Sequence, residues 1–152
     1  MYRFETSIDV PTSLEEAWNF FSNPENLKEL TPPSIGFEPR SKSMDTKMYP
    51  GFFITYKVAP LFGVKMTWAT EITHVENQKF FIDEQRLGPY KIWHHEHHFE
   101  PLSETVTRVT DIVHYALPAG FIGRLFHPLV IKPKLLGLFS YREQQIKEIF
   151  DS

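Results

Sequence analysis

The sequence predicts an α+β domain in which a curved, six- to seven-stranded antiparallel sheet wraps a long C-terminal helix, with two short helices after the first strand. Three observations carry this. Residues 35–115 fall into alternating segments parted by short turn sequences, the pattern of a strand meander. The last thirty residues place apolar side chains near one helical stripe. The first twenty join an alternating segment to a helix start.

Taken in order, Tyr2, Phe4, Thr6, Ile8 and Val10 share one face of a strand that Pro11 stops. Ser13 and Glu16 form a capping-box pattern ahead of Leu14, Ala17, Trp18 and Phe21 at helical spacing. Asn23-Pro24 breaks that helix, and Pro24 to Leu30 reads as a second helical piece closed by Thr31-Pro32-Pro33. Strands are then expected at Ile35 to Arg40, Gly51 to Ala59, Val64 to Val75, Lys79 to Arg86, Tyr90 to Glu100 and Val106 to Tyr115. The separators Pro60-Leu61-Phe62-Gly63, Glu76-Asn77-Gln78, Leu87-Gly88-Pro89 and Leu102-Ser103-Glu104 suit hairpins, so consecutive strands should pair antiparallel. Leu125, Leu129, Leu136, Phe139, Arg142, Ile146 and Ile149 mark the closing helix, with a kink or delayed start expected from Pro128 and Pro133. A curved sheet around one helix leaves a hollow between them, and function is expected there.

Composition narrows the chemistry. A chain of 152 residues suits one domain over residues 1–152. It has no cysteine, which removes disulfides, thiolate nucleophiles and cysteine-held zinc. A formal charge of -3 gives no nucleic-acid footprint. Glu5 and Asp9 interrupt what a signal peptide would keep apolar, so a cytoplasmic protein is the expectation. Fourteen Phe, six Tyr and three Trp exceed what core density needs, and such surfaces also line cavities.

Strand alternation sorts residues to the two faces. Trp93, His95, His97 and Phe99 share one face and are turned inward, away from His94, Glu96, His98 and Glu100. The same logic turns in Trp68, Thr70 and Ile72, then Phe81, Asp83 and Gln85, then Asp111, Val113 and Tyr115, with Ile54, Tyr56 and Val58 from the earlier strand.

Several motifs in this order resemble the START-like, or SRPBCC, superfamily with its helix-grip fold, which includes Bet v allergens, polyketide cyclase/dehydrase-like proteins and coenzyme-Q-binding proteins. They are Asn23-Pro24-Glu25-Asn26-Leu27 running into Leu30-Thr31-Pro32-Pro33, then Gly88-Pro89-Tyr90 with Trp93-x-His95-x-His97-x-Phe99, then Asp111-x-Val113-x-Tyr115-x-x-Pro118. Together they look like one bacterial ligand-binding subfamily. The resemblance implies a cavity for a lipid or other hydrophobic molecule, with catalysis in some branches only.

The leading expectation is therefore a carrier of a hydrophobic or amphipathic small molecule such as a lipid, an isoprenoid or quinone, or a polyketide-like compound. Tyr56, Trp68, Phe81, Trp93 and Phe99 would form the walls, and Asp83, Gln85, His95, His97 and Asp111 the polar end, with Thr70, Val113 and Tyr115 beside them. The same polar residues could instead only satisfy one another across strands. A second expectation is a cyclase, dehydratase or hydrolase using His95 or His97 with Asp111 as acid and base; a third is an interaction module whose cavity is filled. No cofactor and no metal are expected. His95 and His97 can face one ion with Asp83 or Asp111 as an oxygen ligand, but no third ligand is signalled nearby. Residues 121–131 are expected to pack over the sheet, or else to form a gate in transient contact with a membrane. No protein partner is indicated.

Overall fold

The computed structural model describes residues 1–36, 38–39, 47–59 and 63–151. Seven strands form one antiparallel sheet: β1 (Tyr2–Val10), β2 (Glu38–Pro39), β3 (Phe52–Val58), β4 (Met66–Glu76), β5 (Phe80–Leu87), β6 (Ile92–Pro101) and β7 (Thr107–Ala116), in the order β1-β7-β6-β5-β4-β3-β2. The meander from β2 to β7 is the expected one, and β1 closes against β7 with Phe4 opposite Val113. Two register shifts bend β4, between Ala69 and Thr70 and between Ile72 and His74. Such bulges sharpen local twist and so curve the sheet. They also change its phase, so that after Thr70 and Ile72 the next core residue is Val75.

Helix α1 (Leu14–Phe21) starts as expected: the Ser13 side chain accepts from the Glu16 amide at 3.2 Å, while the Glu16 carboxylate accepts from the Thr12 hydroxyl. Its Trp18 and Phe21 pack on the sheet. The second helical piece is shorter than expected, a single 3₁₀ turn over Pro24–Leu27. There the Asn23 side chain caps the turn, and the Asn26 amide donates back to the Phe20 carbonyl. Of the strand expected from Ile35 to Arg40, Glu38–Pro39 is strand among the described residues, and Ile35 instead ends a 3₁₀ turn over Pro33–Ile35 that Gly36 closes in the left-handed region, φ 64°. Pro39 has no amide hydrogen to share, which suits an edge strand. Phe37 and Arg40 of that expected strand, and Pro60, Leu61 and Phe62 of the first separator, lie outside the described residues.

The C-terminal helix does not start late, and where a kink was expected a wider turn interrupts it. Helix α2 (Gly120–Phe126) passes through a π-helical turn at His127–Ile131 into α3 (Lys132–Phe150). Pro128 and Pro133 cannot donate to the carbonyls four residues back, and the wider turn absorbs both losses. It also rotates the helix face. Leu125, Leu129 and Leu136 of the expected stripe are exposed, Phe139 and Ile146 of it are buried as expected, and Ile131 and Leu135 join them. Residues 121–131 accordingly do not all pack over the sheet: Phe121, Ile122, Leu125, Phe126 and Leu129 are exposed. Gly123 has a close neighbour, since a Cβ there would lie 2.4 Å from the Pro118 carbonyl oxygen. None of the described helices is long and apolar enough to cross a membrane.

Candidate functional site

Between the sheet and the C-terminal helix lies a cavity of about 300 Å³. Most of its wall is apolar, from Ile54, Tyr56 and Trp68 on one side to Leu135, Leu138 and Phe139 on the other. Of the residues assigned inward from sequence, Ile54, Tyr56, Val58, Trp68, Thr70, Ile72, Phe81, Asp83, Trp93, His95 and His97 line it.

Five others do not. Phe99 is buried beneath the cavity against Trp18, Phe21 and Phe81. Val113 lies in the core packed against α3. Tyr115 stacks with Tyr2 and shares a 2.6 Å hydrogen bond with His127. Asp111 stands behind the two histidines. Gln85 is taken up by the β5–β6 turn: its amide donates to the Tyr90 carbonyl at 2.6 Å and accepts from the Tyr90 amide at 3.0 Å. The cause is common to the β7 members, because the helix closes directly on the β1–β7 side of the sheet, as Phe4 against Phe139 shows, and leaves its gap over β3 to β6.

The polar end of the cavity is a closed set of two aspartates and two histidines on β5, β6 and β7, where the register sets Asp83 opposite His95 and His97 opposite Asp111. Asp83 Oδ2 lies 2.6 Å from His97 Nε2 and 3.7 Å from His95 Nδ1. Asp111 Oδ1 lies 2.9 Å from His95 Nε2 and 3.1 Å from His97 Nδ1, the second contact close but not aligned as a hydrogen bond. The two rings are 3.8 Å apart, and Phe81 stacks on His97. The Thr70 hydroxyl completes the set with bonds to Asp83 and to the Glu84 carbonyl. On the outer face, His94 pairs with Glu84 and His98 with Glu96.

These positions divide the charge. Burial alone would lower the pKa of both histidines. For His97 the close Asp111 carboxylate and the bond to Asp83 outweigh it, and its pKa is raised. For His95 burial, joined by the charge of His97, prevails and its pKa is lowered. Burial would raise Asp111, but the charge of Arg142 and the two histidines hold it well below the usual carboxylate range. Asp83, against the same penalty, is held down by both histidines and Thr70. The site therefore favours a proton on His97 over one on His95, beside two carboxylates held ionised, and His95 Nε2 is placed to donate to Asp111. Burial also keeps the Tyr56 and Tyr90 phenols protonated.

Sequence reading passed over Arg142, seeing only an amphipathic helix end. It lines the cavity, its guanidinium 5.8 Å over the Phe21 ring. Its place on the expected inward stripe of a helix was the available signal. Among the described residues three buried polar atoms have no hydrogen-bond partner: Trp68 Nε1, His97 Nδ1 and Arg142 Nε. All three belong to residues that line the cavity.

The model of a family described as polyketide cyclase / dehydrase and lipid transport matches residues 10–132. No curated protein sequence matches significantly. A START superfamily protein from Mycobacterium smegmatis superposes with a TM-score of 0.72 at 12% identity, over 98% of this chain and 99% of that one. A point mutant of norcoclaurine synthase from Thalictrum flavum, in complex with a transition-state analogue, gives 0.66 at 14% identity over 97% and 94%. The nucleoside-diphosphate sugar epimerase from Corynebacterium glutamicum gives 0.63 at 26% identity, over 95% of this chain but 28% of that longer one.

Proposed function

Since the chain belongs to the polyketide cyclase / dehydrase and lipid transport family, we propose that it binds one small amphipathic molecule, apolar body against Tyr56, Trp68 and Phe139 and oxygen-bearing end against Asp83, His95, His97 and Arg142. The observation that carries this is that two unpartnered buried donors, Trp68 Nε1 and Arg142 Nε, belong to residues of the cavity lining, while the third unpartnered atom, His97 Nδ1, faces Asp111. An orphaned buried donor costs about 1–3 kcal/mol, and a ligand oxygen would relieve it. The volume of about 300 Å³ supports this over a filled interaction module; it sits at the lower end of the roughly 300–1,000 Å³ usual for ligand pockets.

Native mass spectrometry of gently purified protein, with organic extraction of the same sample, tests the reading. The expected result is an organic mass lost on denaturation, whose extract rebinds to the stripped protein. Leu138→Trp, on the half-buried helix wall, should fill the space and weaken that rebinding at least tenfold at nearly unchanged thermal stability. An extract that rebinds equally to the variant would remove the cavity from the account.

A second reading rests on the unequal histidines. An imidazole whose pKa is lowered beside one whose pKa is raised offers a base and an acid at one wall, as a cyclisation or dehydration needs. If an extracted compound is turned over, His97→Gln should lower kcat by about 10²–10⁴-fold; unchanged turnover would exclude the acid role.

Loading from a membrane fits the exposed apolar face of α2 and the π-helical turn. Phe121 and Leu129 are exposed there, Gly123 and Phe126 also line the cavity, and the sequence from Leu117 to Arg142 has Arg124, Lys132, Lys134 and Arg142 but no Asp or Glu. The protein should co-sediment with vesicles rich in phosphatidylglycerol, and Phe121→Ser with Phe126→Ser should abolish this. Absence of co-sedimentation by the unaltered protein would remove the membrane route.

A further inference from the structure

His95 and His97 alone make a weak case for a metal ion, because two strand-adjacent imidazoles are also ordinary hydrogen-bonding partners. The fold supplies what the sequence does not signal. The β5–β6 register brings Asp83 to the same point, so that one ligand atom from each of Asp83, His95 and His97 lies within 4.8 Å of the others. The contacts that join the three are Asp83 Oδ2 to His95 Nδ1 at 3.7 Å and to His97 Nε2 at 2.6 Å. The opposite nitrogens of both rings then face a single oxygen, Asp111 Oδ1, at 2.9 and 3.1 Å. A carboxylate behind the rear nitrogen is how proteins orient imidazoles that bind metal through the front one.

We propose that Asp83, His95 and His97 bind one divalent transition-metal ion through Asp83 Oδ2, His95 Nδ1 and His97 Nε2, with Asp111 as the orienting group and the remaining coordination position open to the cavity. A tetrahedral centre with bonds of about 2.0–2.1 Å sets its ligand atoms roughly 3.3 Å apart. That spacing lies between the two found here, so an ion seated among the three ligand atoms needs the His97 contact to open by about 0.7 Å and the His95 contact to close by about 0.4 Å. Two nitrogens and one carboxylate oxygen favour zinc, cobalt, nickel or copper over calcium or magnesium, which take oxygen shells. Asp83, His95 and His97 all line the cavity, so the open position would meet the oxygen-bearing end of the ligand. In this the metal site deepens the ligand-binding reading and shares its cavity, but its test needs no organic ligand.

The test is titration of chelator-treated, dialysed full-length protein with cobalt chloride, followed by calorimetry and by visible absorption, with zinc chloride as competitor. One equivalent of cobalt should bind, giving the intense visible bands of a four- or five-coordinate centre, and zinc should bleach them. His95→Gln should weaken cobalt binding at least 100-fold, and Asp111→Asn, which leaves the three ligands in place, by about 10–100-fold. Circular dichroism identifies any variant that fails to fold, and the spectrum of the unaltered protein stands without the variants. No stoichiometric binding, or binding that folded His95→Gln leaves unchanged because His74 or His98 at the surface accounts for it, would overturn the proposal. An organic mass recovered from protein that binds no cobalt would overturn the metal site and leave the ligand-binding reading standing.

Discussion

Asp111→Ala is expected to cost about 3–5 kcal/mol of folding stability, the usual penalty for removing one member of a buried charged set. Asp111, His95 and His97 are each no more than 6% exposed. Without the Asp111 carboxylate, His95 Nε2 loses its 2.9 Å acceptor and His97 one of the two carboxylates that raise its pKa. Arg142 loses the anion it helps to hold ionised, on a side chain whose Nε already has no partner. Asp111→Asn should cost less, since the amide oxygen can still accept from His95. The measurement is urea unfolding of the two variants and the unaltered protein, reading the midpoint at constant slope. A loss below about 1 kcal/mol for Asp111→Ala would mean that water reaches these groups and that the cluster is not the dry polar end described above.

Most of the sheet was legible because its signals are local. Alternation in β6 and β7 turned Trp93, His95, His97 and Phe99, and Asp111, Val113 and Tyr115, to the buried face, and every one of them is buried. Alternation reports the face of a strand, however, and not what covers that face. Asp111, Val113 and Tyr115 have the inward phase of cavity residues but lie under the helix or behind the histidines, outside the cavity lining. The distinction depends on where a helix some thirty residues further along comes down. That path was misread for a reason that hydrophobic spacing does not show: the π-helical turn at His127–Ile131 rotates the stripe, exposing Leu129 and burying Leu135. Gln85 shows a second limit. Its inward phase is correct for the strand, but its amide is consumed five residues on by the backbone of Tyr90, a turn contact that alternation cannot express. Arg142 was legible as a position on a stripe and illegible as chemistry, since a lone cation near a helix end is ordinarily solvated.

Phe99→Ala separates the two meanings of an inward residue. The sequence pattern makes Phe99 a wall of the cavity, whereas the structure packs its ring 5.1 Å from Trp18, 5.9 Å from Phe21 and 6.0 Å from Phe81, outside the lining. Truncating it removes the centre of an aromatic cluster that joins α1 to the sheet, and should cost about 3–5 kcal/mol. The loss falls on that joint. Ligand affinity of the folded fraction, measured with the rebinding extract, should stay within about twofold. Phe81 and Phe21 are shared contacts through which the loss could spread, because both touch Phe99 and line the cavity, Phe81 stacking on His97 at 4.1 Å and Phe21 lying under Arg142. A stable Phe99→Ala protein whose rebinding has fallen tenfold would show that the cavity extends beneath Phe81 and that strand phase alone had placed Phe99 correctly. A destabilised protein that binds normally would instead place the support of the fold under α1 and the recognition of ligand at the Asp83, His95 and His97 end, two functions carried by neighbouring residues of the same strand face.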